Sequence, residues 1–199
     1  MTDVVSHGAP DAGAPGAAKV PGILIFIIAD VIIFGVLFMG FMSERMGQLE
    51  LFNRSSATLN VSLGLLNTLI LMTSGLFVVF AVDAARHGRG SVARRWVVMS
   101  MLVGAGFGVT KLVEYSDKFA HGISMLTNDF YMFYFVLTGA HFLHFVAGMI
   151  VLAALWFRLG REPVEGPLFG WVESGALYWH MVDLLWIVIF PMLYLLGPR

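Results

Sequence analysis

The sequence predicts an all-α membrane protein, a polytopic bundle of five transmembrane helices, and three observations predict it. Hydrophobic residues make up 58% of the 199-residue chain and charged residues only 13%, about half the share found in soluble domains. A soluble fold of this size has no interior large enough to hide so much apolar surface. Five segments reach the roughly 20 apolar residues needed to cross hydrocarbon: about 22–42, 58–82, 96–115, 130–157 and 172–196. Short polar links join them, and none is large enough to fold separately. Residues 22–199 therefore form one transmembrane domain, preceded by a tail.

Composition also excludes. The formal net charge is −1 with no long basic run, so nucleic acid is not an expected partner. The absence of cysteine removes disulfides, thiolate metal sites and cysteine nucleophiles. Residues 1–21 are rich in Ala, Gly and Pro and read as a disordered cytoplasmic tail. No basic stretch precedes a short apolar core and cleavage site there, so they do not read as a signal peptide.

The first segment, GILIFIIADVIIFGVLF, has a single charge, Asp30, near its centre. An aspartate there costs about 2.5–3.5 kcal/mol, more than several neighbouring leucines or isoleucines return at about 0.3–0.6 each. Asp30 therefore needs a partner or a purpose. The second segment carries Asn60, Asn67 and Ser74 at seven-residue spacing, which puts them on one helical face as a polar helix–helix seam. The link after it holds Arg86, Arg94 and Arg95, candidates for anionic lipid head groups, although topology signalling explains them equally well. With the N-terminus in the cytoplasm, that side also holds Lys19, Arg89, Arg158 and Arg161, against Arg45, Arg54, Lys111, Lys118 and Arg199 opposite. This bias predicts N-in, C-out.

In the third segment, Gly104 and Gly108 make a GxxxG step for close helix packing rather than a nucleotide loop. Lys111 and Lys118 lie three and four residues from Glu114, so both are placed to reach its carboxylate. The fourth segment contains TGAHFLHFVAG, with His141 and His144 on the side of Thr138 and Gly148. The fifth opens with ESGALYWHMVD, with Glu173, His180 and Asp183 on one broad face. Pro163 and Pro167 separate the two. So many aligned polar groups are expected to meet one another in the bundle, or a neighbouring protein, rather than lipid. Two readings of His141, His144, Glu173, His180 and Asp183 compete. One is a metal or haem site; the other is a buried hydrogen-bond network. The repeated Glu-x-x-His of di-iron bundles is absent, so the network, with no metal, is the reading adopted.

These motifs resemble those of subunit III of the haem–copper oxidases. ESGALYWHMVDLLWIVIFPMLYLLG is similar to that family's last helix, and FVLTGAHFLHFVAGMIVL to its Thr-Gly-x-His-x-x-His-x-x-x-Gly helix. Glu114-Tyr115 stands at the family's Glu-Tyr pair, and LLNTLILMTSG resembles a further helix. The resemblance runs from about residue 22 to 197. It implies that Asp30 stands where the family usually has a buried glutamate associated with proton handling and carbodiimide reactivity. It also implies partners: a catalytic subunit I that carries the haem and copper, other subunits, and membrane lipids, phospholipid among them. This chain would then bind no haem or copper itself.

Long family members have seven helices, and this chain starts at what would be their third. Short five-helix members include a branch accompanying nitric oxide reductases, and the two helices that form one side of the long form's lipid-filled cleft are missing here. The expected function is a non-catalytic subunit III in a bacterial plasma membrane, supporting stability and proton uptake. The alternative within the family is a nitric oxide reductase accessory protein. Outside it stand a membrane oxidoreductase with metal at His141, His144, His180 and Asp183, and a small proton-coupled transporter using Asp30.

Overall fold

A computed structural model describes residues 20–197. The expected disordered tail lies outside the described residues up to position 19, and Val20 and Pro21 belong to the first helix. Six helices follow in order: α1 (Val20–Gly47), α2 (Leu49–Ser56), α3 (Val61–Arg86), α4 (Gly90–Ala120), α5 (Asp129–Leu159) and α6 (Pro167–Tyr194). All but α2 are long and apolar enough to cross a membrane. Each of these five extends past the apolar window that predicts it at one end or both, because the hydrogen-bonded ladder continues into polar residues once nucleated, while α3 starts and α6 ends two to three residues inside theirs. Thus α4 takes in both Arg94–Arg95 and Lys118.

The helix ends follow local chemistry. Asn60 and Asn128 cap α3 and α5, their side chains accepting from the amides of Leu63 and Tyr131 at 3.0 Å each. Pro167 opens α6, where its missing N–H costs nothing. At the α3 C-terminus Gly88 takes φ 69°, and the amide of Arg89 reaches back to the carbonyl of Ala84 at 2.9 Å. That left-handed turn reverses the chain into α4.

Helices α3, α4, α5 and α6 form a closed ring, each packed on its neighbours, while α1 lies outside against α5 and α6. In their most apolar stretches, 67% of α6 is buried within the chain but only 11% of α1. The core is aromatic. Trp179 inserts between α4 and α5 because Gly104 and Gly148 leave room: a Cβ at either would lie 3.1 or 2.8 Å from its ring. Gly108 instead receives Phe145 of α5, so the two glycines admit rings from two different helices rather than forming one seam. The polar link expected after α1 contains α2, whose Phe52 is buried against Phe41 and Phe130.

Candidate functional site

One buried polar group links α4 to α6 through side chains. Lys111, fully buried, donates from Nζ to Glu114 Oε2 at 2.9 Å and to the Tyr194 hydroxyl at 3.1 Å. Tyr194 in turn donates to Glu114 Oε1 at 2.6 Å. The rings of Tyr115, Tyr134, Trp186 and Tyr194 surround the ammonium at 5.0–5.7 Å. Cation–π attraction and three hydrogen bonds thus replace the water this ion pair has lost. Lys118 does not join it. Its Nζ donates to the carbonyl of Thr58 at 3.1 Å, so it ties the bend before α3 to α4.

A second pair joins α1 to α5. Asp30 is buried, and its Oδ2 lies 3.2 Å from His144 Nε2, with the ring of Phe34 edge-on to the imidazole at 5.6 Å. His144 Nδ1 is 2.8 Å from the carbonyl of Ala140. A carbonyl only accepts, so Nδ1 carries a proton. Neutral His144 then presents a bare nitrogen to a carboxylate, two acceptors facing each other. Oδ2 has no hydrogen-bond partner in this geometry, so the pair is held by proximity rather than by a bond already formed.

His141 does not belong to this pair. Fully buried, it contacts the rings of Phe107 and Trp186, with Nε2 3.0 Å from the carbonyl of Val182. The outer face of α3 and α6 holds the remaining groups. Arg86 reaches Glu173 at 3.6 Å, and His180 Nδ1 lies 3.6 Å from Asp183 Oδ2. Asp183 is buried against Gly75, whose missing Cβ makes room for the carboxylate, while Glu173 and His180 remain partly exposed. The five residues expected to share one network are therefore spread over three places: His141 in the core, His144 at α1, and Glu173, His180 and Asp183 on the α3–α6 face. These five side chains do not converge as one ligand set. One nitrogen of His141 is turned to a carbonyl and the other is enclosed without a partner. Among the described residues, no three such side chains converge on a point.

Arg86 is separated from Arg94 and Arg95, which lie between α4 and α5. The seam expected at Asn60, Asn67 and Ser74 splits likewise. Asn60 is a cap, Asn67 accepts from Thr110, and Ser74 bonds Ser100 at 2.9 Å across α3 and α4. Sequence reasoning missed Tyr134 and Tyr194. Their aromatic neighbours Tyr131 and Trp186 mask them as ordinary core or interface residues.

Fold and pairs together define an integral membrane helical bundle that carries polar pairs in its interior. The family model for cytochrome c oxidase subunit III matches residues 16–198. The chain is 28% identical over 179 residues to cytochrome c oxidase subunit 3 of Thermostichus vulcanus, covering 89% of this chain and 87% of that protein. It is 27% identical over 188 residues to quinol oxidase subunit 3 of Bacillus subtilis, covering 92% and 89%. To cytochrome c oxidase subunit 3 of Synechocystis it is 30% identical over 193 residues, covering 96% and 78%. The chain belongs to the cytochrome c oxidase subunit III family, and with it to the non-catalytic subunits of haem–copper oxidases.

Proposed function

We propose that this subunit sits beside the catalytic subunit I of a bacterial plasma-membrane oxidase, in the N-in, C-out orientation, and assists proton entry through the Asp30–His144 pair. Haem and copper reside in the partner under this reading. The observation that carries it is the facing of Asp30 Oδ2 and His144 Nε2 at 3.2 Å. Two groups that need one proton between them, at the seam of a loosely held helix, are suited to take up and release it. Relatives named for cytochrome c and quinol oxidases favour an oxidase over a nitric oxide reductase companion.

Purification through a tag in mild detergent tests the assembly, since a haem protein of the oxidase class should accompany the chain. In that complex Asp30→Asn should leave haem content intact, and slow proton uptake or hasten inactivation during turnover. Unchanged kinetics over prolonged turnover would reduce Asp30 to a structural role.

A further inference from the structure

The arginines around the α3–α4 turn divide into two kinds. Arg86 lies 3.6 Å from Glu173, and Arg89 lies 3.4 Å from Asp83. Arg94 and Arg95 have no carboxylate at ion-pair distance among the described residues. Both line a groove of about 970 Å³ between the first turns of α4 and the last turns of α5, together with Ser91, Trp96, Met99 and Trp156. That is the size range of pockets for drug-sized ligands.

The groove has a charged end and a greasy end. Arg94 is held there by design of the chain: its guanidinium lies 4.5 Å from the Trp156 ring centroid. On its other side is Gly160, where a Cβ would come within 2.9 Å of Arg94 Cζ. Its Nε is buried without a hydrogen-bond partner, although a buried N–H left unpaired is costly. Away from the arginines the lining turns to Trp96, Val98 and Met99, on a helix that continues across the hydrocarbon. Trp96, stacked on Phe77 at 5.6 Å, fits the interfacial belt where indole rings mark the head-group level.

Charge complementarity separates this groove from three others among the described residues. Those on the α3–α6 face are lined by Asp83, Glu173 and Asp183 as well as Arg86 and His180. The groove at the opposite end pairs Arg54 with Glu50. Those sites carry acids that repel a phosphate. The α4–α5 groove carries none.

We infer that the α4–α5 groove binds an anionic phospholipid, its phosphate held by Arg94, Arg95 and the Ser91 hydroxyl, and one acyl chain lying along Trp96 and Met99. It is formed by this chain's own α4 and α5. The inference rests on the membrane-spanning reading and not on the proton role of Asp30.

Photoactivatable phosphatidylglycerol tests it. The full-length protein, with whatever subunits accompany it, is reconstituted in phosphatidylcholine vesicles containing a minor fraction of the probe, and labelled peptides are mapped by mass spectrometry. Photoactivatable phosphatidylcholine is the control. Phosphatidylglycerol should label the segments around Ser91–Met99 and Trp156–Gly160 preferentially. Arg95→Gln, at an exposed position that leaves packing intact, should cut that labelling about five-fold, and adding Arg94→Gln should cut it more than tenfold. Labelling elsewhere on the chain should not change. Equal labelling by both lipids, or labelling unmoved by Arg95→Gln, overturns the proposal. Full displacement of the label by inorganic phosphate assigns the site to a free anion and overturns the lipid; persistence of the label supports the acyl contact.

Discussion

Two buried acid–base pairs among the described residues are built in opposite ways. Lys111–Glu114 lies inside the four-helix ring, three residues apart on one helix, closed by a tyrosine hydroxyl and four aromatic rings. Asp30–His144 lies between two helices, one of which is mostly exposed, and a single contact of 3.2 Å joins it. The first has its hydrogen bonds made by the fold; in the second, Asp30 Oδ2 is buried without one. Depth and redundancy suit the first to hold architecture. A thin seam with an unmade hydrogen bond suits the second to the proton role proposed for it.

The largest expected effect comes from breaking the first pair from one side. Glu114→Ala leaves the Lys111 ammonium buried without its counter-charge, at about 3–5 kcal/mol. The variant should fail to accumulate in the membrane, or melt far below the parent in detergent. Replacing both partners, as Lys111→Met with Glu114→Leu, removes the unpaired charge and should restore most of the stability. A double variant no better than Glu114→Ala would show that the pair contributes more than mutual compensation, and the contrast between the two sites would need redrawing.

Next comes the α1–α5 seam. Asp30→Leu leaves the bare His144 Nε2 facing a methyl group, which costs about 1–3 kcal/mol. Asp30→Asn keeps a donor, since the amide N–H can serve Nε2, and should melt within about 1 kcal/mol of the parent. Thermal unfolding in detergent ranks the three proteins. If Asn destabilises as much as Leu, the geometry around His144 has been assigned to the wrong tautomer.

These contrasts show what a sequence can and cannot reveal. The spans were legible because apolarity over about 20 residues is a property of each segment alone. Helix α2 was not, because eight residues spanning LELFNRSS are too short and too mixed to stand out from a polar link. Lys111 and Glu114 were legible as a pair because helical spacing places i and i+3 together. Lys118 has nearly the same spacing, yet the carbonyl of Thr58 in the bend before α3 takes its ammonium. His141 and His144 read as one cluster, but three residues differ by about 60° around the helix. That turn is enough to send one to α6 and the other to α1. Which helix stands on which side is tertiary information, and the periodicity of a single segment does not contain it.

An effect comparable to that of Asp30→Leu belongs to the tyrosine that closes the deep pair. Tyr194→Phe deletes one hydroxyl that bonds both Lys111 and Glu114 while keeping the ring. The expected loss is about 1.5–3 kcal/mol, the range for hydrogen bonds to charged groups, below that of Glu114→Ala. Melting at or above the parent would mean the rings alone shield the pair.

The smallest effect is expected at the shortest ion pair discussed. Arg54 and Glu50 approach to 2.7 Å on α2, closer than Asp30 and His144, but their side chains are 80% and 81% exposed. Water screens both charges, and ordering two long side chains costs entropy that offsets the attraction. Arg54→Gln should therefore shift stability by less than about 0.5 kcal/mol, whereas the longer buried contact responds by several times that. Measured together, the two substitutions ask whether proximity or burial sets the strength of an ion pair in this bundle. A loss at Arg54 as large as that in Asp30→Leu would mean that α2 is covered in the membrane by something that excludes water from its face.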